Sequence, residues 1–463
     1  MRFHLLGVGG AGMNVIAQLL HAEGHDVSGS DKQNSAVLER LKQSGVKVFV
    51  GHDEKNVPED CIVVYSSAIN SSNPELSIAK RRKQEIWHRS KALAFVGRDK
   101  KFVSVAGTHG KTTTSGMLSF ALTKMNLKPS YAVGSEIKGL NLACKFDEGD
   151  IFVAEADESD KSFLNYSSEV AIVTNIEADH LDNYKDLFEL RSVFEDFANN
   201  IVPDGTLVTC SDDDGGKFLA EKMFSHRRVI TYGYKKCTNP NISTSVQIVD
   251  EKFTTNSASA TFVLTENGEK YSYDVDLDVT GRHNLLNACA VFCAGIHFGA
   301  DLSELLKALS LFQGTGRRFE FRGCYKSVKI FDDYAHHPTE VKAAIDQARI
   351  VAGAGKVYVI FQPHLYSRTM FFAKDFAKSL SLADCAVVVD IYAAREDPVE
   401  GVDSSIITKY MDSNKGVFIP DKNEAAYYVA SHVCAGDIIV TIGAGDITFL
   451  CDNIYKFLQG ELF

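Results

Sequence analysis

The sequence predicts an α/β protein of three domains, each with a mostly parallel sheet flanked by helices. Apolar strand patterns alternate with amphipathic helix patterns along most of the 463 residues, as in sheets whose parallel strands are joined by helical crossovers. Two glycine-rich turns, at residues 7–12 and 107–113, each follow an apolar strand and precede a helix. A chain of this length typically forms about three domains.

The first predicted domain, residues 1–97, has the alternation of a Rossmann-like fold. Its strands are predicted at 2–9, 26–31, 46–50 and 61–66, and its helices at 13–25 and 35–44. Gly7, Gly9 and Gly12 fit the pattern G-x-G-x-x-G, and Asp31 closes the second strand about twenty residues later. Such a turn binds the diphosphate of a nucleotide, and alone it would predict NAD.

The second predicted domain, residues 98–315, is P-loop ATPase-like, because a strand, a glycine loop (107–113), a Lys-Thr pair and a helix follow one another. The loop is shorter than the common P-loop, since Val105 stands where the first glycine of that motif is expected. A glycine turn that only caps a helix is the simpler interpretation. It leaves Lys111 in the first helical turn, where a cation opposes the helix dipole unless an anion binds there.

The alternation continues through the remaining chain. The second domain has predicted strands at 151–156, 170–174, 206–210 and 228–232, and helices at 186–200, 214–224, 284–298 and 302–312. Residues 242–280 alternate polar and apolar side chains around Asn267-Gly268, which predicts a small antiparallel excursion. The third domain, residues 316–463, is again Rossmann-like. Its strands are predicted at 328–332, 356–361, 385–391, 417–420 and 437–442, and its helices at 338–352, 369–382, 404–411, 422–434 and 447–459.

The composition argues against several functional classes. A hydrophobic content of 45% and a charged content of 24% are ordinary for globular chains, and the net charge of −11 argues against a nucleic-acid groove. Ten cysteines without C-x-x-C spacing indicate the reduced thiols of a cytosolic protein. Because the sequence shows no signal peptide and no run of about 18 apolar residues, we expect a cytoplasmic protein.

Several short motifs, in order along nearly the whole chain, resemble those of the Mur ligase family. They are GVGGAGM (7–13), SSAI (66–69), GTHGKTTT (107–114), AEADESD (154–160), EADHLD (177–182), GRHN (281–284) with Asn287, FQGTGRRF (312–319), DDYAHHPTE (332–340) and FQPHLYSRT (361–369). The resemblance implies a UDP-sugar-binding first domain, a central ATP-binding domain, and a third domain that contributes to the ATP and amino-acid sites.

The resemblance also implies the reaction. L-alanine would be joined to the lactyl carboxylate of UDP-N-acetylmuramate through an acyl phosphate, at the expense of ATP, in the synthesis of peptidoglycan precursors. ATP and Mg²⁺ are the expected cofactors, with Mn²⁺ as a substitute. The expected partners are these small-molecule substrates, with no nucleic acid and no membrane, and the expected assembly is a monomer or weak dimer.

By this resemblance, ATP would be bound by the loop residues Gly107, Thr108, His109, Gly110, Lys111, Thr112 and Thr113. Lys111 is expected to bridge the β- and γ-phosphates, and Thr112 with Glu155 to hold a first Mg²⁺. His180 is expected to ligate a second Mg²⁺ near the acyl phosphate. Imidazole is an unusual ligand for a hard cation, so the residue type alone favours a structural histidine.

Further ATP contacts are expected from the second and third domains. His283 and Asn287, four residues apart on one helix face, are assigned to the adenine, with helix capping as the alternative. Of Arg317 and Arg318, the second is expected to meet phosphate charge as a catalytic residue, with an interdomain salt bridge as the alternative. Asp333 suits the ribose hydroxyls.

The other two substrates have their own expected residues. Tyr334, His336 and Arg368 are assigned to the amino acid: His336 would position the amine or take its proton, and Arg368, less directly His364, would bind the carboxylate. The UDP-sugar is assigned to Gly9, Gly10, Gly12, Asp31, Ser66 and Ser67.

Two residues depart from the family pattern. Ala335 stands in place of a usual glycine, a change that costs little only if φ there is negative. Arg191 lies in the region where sibling ligases carry a carbamylated lysine, so we expect no such modification.

Alternatives from other classes remain open at the level of sequence. An NAD-dependent oxidoreductase would use the first glycine turn but leaves Lys111, Glu155 and His180 unexplained. A non-catalytic, nucleotide-switched binding module would use the second glycine turn, at residues 107–113. Within the family, a ligase that recycles whole peptides or adds another amino acid is the nearest alternative. Glycine and serine are expected as weak substrates, because a methyl group changes discrimination by about 1–3 kcal/mol.

Overall fold

The computed structural model describes residues 1–178, 184–394 and 396–460. Strands and helices alternate through three sheets, mostly parallel, which confirms the predicted α/β class. No helix in these ranges is both long and apolar enough to cross a membrane.

The first sheet is built from residues near the N-terminus. Its elements are β1 (Arg2–Leu6), α1 (Ala11–Ala22), β2 (Asp26–Asp31), α2 (Ala36–Gln43), β3 (Lys47–Val50), β4 (Ile62–Tyr65), α3 (Pro74–Arg81), β5 (Ile86–His88) and α4 (Arg89–Val96). All pairs are parallel, in the order β3-β2-β1-β4-β5. The sequence pattern missed β5 and α4, because β5 has only three residues and α4 begins after His88, which is not a common N-cap.

The second sheet has ten strands. Its elements are β6 (Lys101–Ala106), α5 (Lys111–Lys124), β7 (Ser130–Ile137), β8 (Leu142–Lys145), β9 (Ile151–Glu155), β10 (Val170–Val173), α6 (Leu187–Asn199), β11 (Thr206–Cys210), α7 (Asp214–Met223), β12 (Arg228–Gly233), β13 (Thr244–Phe253), β14 (Ala258–Glu266), β15 (Glu269–Leu277), α8 (Arg282–Phe298) and α9 (Leu302–Leu309). The strand order is β15-β14-β13-β12-β11-β10-β6-β9-β7-β8.

Two parts of this sheet are not joined by helical crossovers. The hairpin at Asn267-Gly268 forms as predicted, with positive φ at both residues. The antiparallel pair β7–β8 was not predicted from the sequence. Strand β13 joins the main sheet through a parallel pairing with β12, so only the outer part of the excursion departs from the parallel pattern.

The central position of β6 organises the loop that follows it. Strand β6 pairs in parallel with β10 on one side and β9 on the other. In this register Val105 lies opposite Glu155, and Ala106 lies opposite Val173. Because the carboxyl ends of parallel strands meet at one edge of a sheet, residues that follow β9 and β10 surround the glycine loop after β6.

The third sheet contains the C-terminal strands. Its elements are β16 (Glu320–Tyr325), β17 (Val328–Asp333), α10 (Pro338–Ala352), β18 (Val357–Phe361), α11 (Tyr366–Leu380), β19 (Cys385–Val388), α12 (Ser405–Thr408), β20 (Gly416–Phe418), α13 (Lys422–His432), β21 (Ile438–Ile442) and α14 (Leu450–Gln459). The order is β16-β17-β21-β18-β19-β20, with only β16–β17 antiparallel. Strand β16, at the edge, was not predicted.

The chain divides into two compact units. The first contains Met1–Val249, Thr261–Val275 and Leu286–Phe312, and the second contains Asp250–Ala260, Asp276–Leu285 and Gln313–Phe463. In the first unit, one apolar cluster continues from β1 to β12, so the first two sheets share a core. In the second unit, apolar clusters cover both faces of the third sheet, as expected for a parallel sheet between helices. The predicted boundaries between the three domains stay a prediction.

Candidate active site

The central glycine loop is anchored by the two residues that follow β10. Asn175 accepts from the backbone N–H of Thr108 at 3.1 Å and, through Oδ1, from that of His109 at 2.8 Å. Thr174 Oγ1 donates to the carbonyl oxygen of His109 at 2.5 Å. A Cβ at Gly107, where φ is +127°, would lie 2.2 Å from Thr174 Oγ1, so only glycine fits there. Hydrogen bonds to Thr174 and Asn175 therefore hold the loop backbone in place.

Lys111 folds back onto this loop. Its Nζ lies 2.9 and 3.0 Å from the two carboxylate oxygens of Glu158, and it donates to the carbonyl oxygens of the first two loop residues at 2.7 and 3.2 Å. Burial alone would lower the pKa of Lys111, but the carboxylates of Glu158, Asp157 and Glu155 outweigh it and raise this pKa above its ordinary value. A permanent positive charge is thus placed at the loop.

Thr112 and Glu155, the predicted ligands of the first Mg²⁺, are brought together. Thr112 Oγ1 donates to Glu155 Oε2 at 2.9 Å, and the backbone N–H of Gly134 donates to the same oxygen at 2.9 Å. A hydroxyl and a carboxylate are hard oxygen donors of the kind that Mg²⁺ takes. The residues at this position therefore fit the ion that the sequence predicts.

Of two other residues predicted for the central domain, His180 and Asn287, the structure describes Asn287. His180 lies among residues 179–183, outside the described part of the chain. Asn287 is buried in α8, where its Oδ1 accepts from Thr114 Oγ1 at 3.1 Å. The same oxygen would lie 2.8 Å from a Cβ at Gly110. Asn287 therefore contacts the loop and the first turn of α5, and its contact with adenine stays a prediction. Thr113 is half-buried in that first turn.

The N-terminal glycine turn is fixed by Asp31. Gly9 donates its backbone N–H to Asp31 Oδ2 at 2.9 Å, and a Cβ at Gly9 would lie 2.7 Å from Leu38 Cδ1. Gly10 is the N-cap of α1, which has no side-chain cap and no acidic residue in its first turn. The positive end of α1 is thus not neutralised by its own first-turn side chains, as suits an anionic ligand.

Ser66 and Ser67, predicted near the sugar nucleotide, lie beyond the end of β4. Ser67 Oγ donates to Asp160 Oδ2 at 2.8 Å and lies 3.1 Å from His88 Nε2. The Ser66 carbonyl oxygen accepts from the backbone N–H of Ile69 at 3.0 Å. Ser67 therefore connects the first sheet to the acidic run that follows β9.

Arg89, which the sequence analysis did not select, lies beside these residues. Its Nη2 donates to Asp157 Oδ2 at 2.9 Å and to Asp160 Oδ2 at 3.4 Å. Although burial raises the pKa of Asp157, Lys111 and Arg89 outweigh it and hold this pKa well below its usual range. Asp157 therefore stays ionised between two cations.

In the second unit, Asp333 ends β17 with its carboxylate buried. It accepts from the backbone N–H of Phe319 at 2.7 Å and from that of Ala335 at 2.8 Å. Burial raises the pKa of Asp333 to about 6, against the opposing effects of Arg318 and the two backbone donors. Ala335 is not among the residues with positive φ, so its replacement of the usual glycine causes no backbone strain.

The two adjacent arginines have different surroundings. Arg317 contacts the buried Asp332 carboxylate at 3.2 Å and donates to two carbonyl oxygens beyond β21 at 2.7 and 3.2 Å. Arg318 lies 3.7 Å from Glu340, with its guanidinium 5.4 Å from the centre of the Tyr334 ring. Arg317 is thus part of the fold of the second unit, which favours Arg318 as the arginine that meets phosphate.

His336 and His337 point to different neighbours. The ring of His336 contacts the Tyr334 carbonyl oxygen at 3.1 Å through Nδ1 and lies 6.0 Å from the ring of His364. The ring of His337 packs edge-on against Phe372 at 4.7 Å. His336 therefore lies beside Tyr334 and His364, two other residues predicted for the amino acid.

The remaining predicted residues of the second unit lie on α11 and α8. Arg368 is 8% exposed in the first turn of α11. His364, just before that helix, stacks on Tyr392 at 5.9 Å. His283 is in the first turn of α8, where burial and then Arg318 lower its pKa to about 4. A neutral imidazole at pH 7 retains one acceptor nitrogen, as a contact with the adenine amino group would need.

Comparison with known proteins decides the family. The chain matches the Mur ligase family catalytic domain over residues 2–101, the Mur ligase middle domain over 105–295, and the Mur ligase glutamate ligase domain over 317–445. The chain belongs to the Mur ligase family. Members of this family are ATP-dependent ligases.

Among Mur ligases, the relatives of this chain at 40–44% identity carry one activity in their names. The UDP-N-acetylmuramate--L-alanine ligase of Renibacterium salmoninarum is 44% identical over 96% of this chain and 94% of its own length. The ligase of the same name from Kineococcus radiotolerans is 44% identical over 99% and 96%. The crystal structure of UDP-N-acetylmuramate-alanine ligase from Thermotoga maritima aligns with a TM-score of 0.80 at 28% identity, covering 99% of each chain.

The sequence analysis missed four residues that this Mur ligase places at the site: Thr174, Asn175, Glu158 and Arg89. Thr174 and Asn175 could have been predicted from the sequence, because polar residues directly after a predicted parallel strand lie at the edge where ligands bind. Glu158 belongs to the quoted AEADESD motif but was given no role. Arg89 starts a helix that the pattern did not show, and its partners are about 70 residues away in the chain.

Proposed function

We propose that the chain joins L-alanine to the lactyl carboxylate of UDP-N-acetylmuramate, with ATP converted to ADP and phosphate, in the synthesis of peptidoglycan precursors. One observation carries the proposal. Relatives named for this reaction are 44% identical over nearly the full length. The cluster of the glycine loop, Lys111, Thr112 and Glu155 supports it. That cluster has the groups needed for triphosphate chemistry.

The first half of the reaction activates the carboxylate. A lactyl carboxylate oxygen attacks the γ-phosphorus, the bond from that phosphorus to the β–γ bridging oxygen breaks, and ADP leaves. Lys111 neutralises the β- and γ-phosphates once it exchanges Glu158 for phosphate oxygens. Thr112 and Glu155 would hold Mg²⁺, which supplies further charge neutralisation when bound. Arg318 is the arginine assigned to phosphate charge.

The second half forms the amide. The amine of L-alanine attacks the carbonyl carbon of the acyl phosphate, and the tetrahedral intermediate collapses with loss of inorganic phosphate. The amine must lose a proton, and His336 is the assigned acceptor or positioning group. Arg368 is assigned to the L-alanine carboxylate, because its planar guanidinium can bind both oxygens. The contacts of His336 and the burial of Arg368 support these assignments.

The sugar nucleotide is assigned to the first sheet. The diphosphate would lie at the first turn of α1, near Gly9, Gly10 and Gly12, with Ser66 and Ser67 nearby. The absence of acidic residues from that turn supports this assignment. The hydrogen bond from Gly9 to Asp31 shows that Asp31 shapes the turn itself.

The experiment is phosphate release from ATP and Mg²⁺ with UDP-N-acetylmuramate and a panel of amino acids. L-alanine should give the highest kcat/KM, with glycine and L-serine weaker. Adding L-alanyl-peptides to the panel tests the peptide-recycling alternative, and calorimetry with NAD tests the oxidoreductase alternative. The proposal is wrong if NAD binds saturably while UDP-N-acetylmuramate does not, or if no amino acid stimulates phosphate release.

A further inference from the structure

Arg89 joins two parts of the first unit through one guanidinium. It is the first residue of α4, beside the first sheet, and its partners Asp157 and Asp160 follow β9 of the second sheet. The side chain is 26% exposed. Both of its hydrogen bonds in the described part of the chain are donated by Nη2. The other amino group, Nη1, therefore keeps its donors for a ligand.

Nη1 faces the first glycine turn. A Cβ built on Gly12 would lie 3.4 Å from Nη1, so this amino group packs against the first turn of α1. Gly12 belongs to the turn assigned above to the diphosphate of the sugar nucleotide. A guanidinium this close to the turn is within hydrogen-bonding reach of a phosphate oxygen bound there.

The negative charge near Arg89 explains why a cation is needed beside the first glycine turn. Residues 155–160 carry four carboxylates, and Lys111 pairs directly with only one of them, Glu158. A sugar nucleotide with a diphosphate and a free carboxylate is strongly anionic, and it would be repelled by this run without a cation on its own side. Arg89 provides that cation, since Asp157 and Asp160 fix Nη2 and leave Nη1 toward α1.

We propose that Arg89 binds the diphosphate of the sugar nucleotide through Nη1 while Asp157 and Asp160 hold Nη2. One side chain would then set the distance between that substrate and Lys111. The inference rests on the proposed function, because it takes the sugar nucleotide as the ligand of the first turn. Arginine suits the task because its planar fork presents two separate donor groups, whereas a lysine ammonium is a single point of charge.

The test compares Arg89→Gln and Arg89→Lys with a matched control, Arg98→Gln. Arg98 pairs with Glu23 at 2.7 Å beside the C-terminal end of the same helix α1, so its loss removes a similar ion pair far from the turn. We expect Arg89→Gln to raise the KM for UDP-N-acetylmuramate about tenfold or more, Arg89→Lys to raise it less, and Arg98→Gln to leave it within about twofold. The KM for ATP should change little in all three.

A purely structural role would lower thermal stability without this order of KM values. The inference is overturned if Arg89→Gln and Arg98→Gln have the same KM for the sugar nucleotide. Calorimetric binding of UDP and of UDP-N-acetylmuramate provides a readout that needs no turnover, and the dissociation constant should follow the same order. If the wild-type chain binds UDP through Arg89 but releases no phosphate, the proposed function fails while this inference stands. Equal UDP affinity in wild type and Arg89→Gln would overturn the inference alone.

Discussion

Two strand ends of this protein hold carboxyl groups whose pKa values move in opposite directions. Beyond β9, Asp157 lies near Lys111 and Arg89, and these cations hold its pKa below the usual range despite burial. At the end of β17, Asp333 has two backbone donors and Arg318 nearby, yet burial raises its pKa to about 6. Burial raises the pKa at both places, but Asp157 is 39% exposed and has two cations nearby, whereas Asp333 is buried with only Arg318 and two backbone donors opposing burial.

The side chains around Asp157, here called the β9 cluster, and those around Asp333, the β17 cluster, therefore suit different ligands. The β9 cluster contains permanent charges of both signs, as expected where phosphate and a divalent cation must be bound and neutralised. The β17 cluster, with Asp333 and the neutral His283, carries weaker charge at its centre. Such an environment suits the contacts predicted for it, with ribose hydroxyls, a base and an amine that must be neutral to attack.

Removing the cation of the β9 cluster should have the largest effect. Lys111→Ala is expected to lower phosphate release about 10³-fold or more, because the transferred phosphate loses its preorganised charge. Binding of UDP-N-acetylmuramate, measured by calorimetry, should stay near normal. Lys124→Ala, exposed in the last turn of the same helix, is the matched control and should keep full activity. Loss of both activity and sugar-nucleotide binding in a folded Lys111→Ala protein would contradict the assignment.

Neutralising one acid of the same cluster should shift the metal dependence. Glu155→Gln keeps the shape but loses the charge that a Mg²⁺ ligand provides, so the Mg²⁺ concentration for half-maximal phosphate release should rise about 10–100-fold. Glu148→Gln, 80% exposed, is the control and should leave the Mg²⁺ titration unchanged. An unshifted titration for Glu155→Gln would remove Glu155 from the metal site.

The sequence predicts the parts of these clusters whose residues are close together in the chain better than the parts that the strand order brings together. The glycine loop with Lys111 and Thr112 is contiguous, so its strand, turn and helix are readable directly. Glu155 was assigned by the family resemblance, and its place at the end of a strand of the parallel sheet agrees with that assignment. The pairing of Lys111 with Glu158 was missed, because it depends on which strand neighbours β6, and strand order is not encoded in local patterns.

The short edge elements were missed for a related reason. Strand β5 has only three residues, and β16 lies antiparallel at an edge, so β16 does not repeat the strand-helix alternation that predicted the others. The pKa of Asp333 was equally unpredictable from sequence, because it depends on burial and on backbone donors at Phe319 and Ala335. Motif residues could be listed in advance, but their charge states could not.

In the second unit, the effect of replacing Arg368 should be smaller and confined to one substrate. Arg368→Lys is expected to raise the KM for L-alanine about tenfold with little change in the KM for ATP, because a lysine cannot bind both carboxylate oxygens. Arg349→Lys, on α10, is the control: Arg349 pairs with Asp384 at 2.6 Å and has no assigned role in binding. Equal KM values for L-alanine in the two variants would exclude Arg368 from the amino-acid site.

The smallest expected effect concerns the charge state of His283 itself. The folded chain lowers its pKa to about 4, whereas the unfolded chain keeps it at 6.5, its ordinary value. Between these values the unfolded chain binds a proton that the folded chain does not, so stability falls as pH decreases from about 6.5 to about 4. Asp333, with a raised pKa, contributes the opposite slope up to pH of about 6, so only a comparison of variants isolates His283.

Denaturant unfolding of wild type and His283→Asn at pH 7 and pH 5 makes that comparison. Over this interval wild type should lose about 1 kcal/mol more stability than the variant. This loss is smaller than the full pKa shift of His283 would give, because the ring is not fully buried. His226→Asn, which removes an exposed histidine, should follow wild type. If His283→Asn and wild type lose equal stability, His283 is protonated in the folded chain at pH 5. The β17 cluster would then have a further cation at its centre, and its contrast with the β9 cluster would not hold.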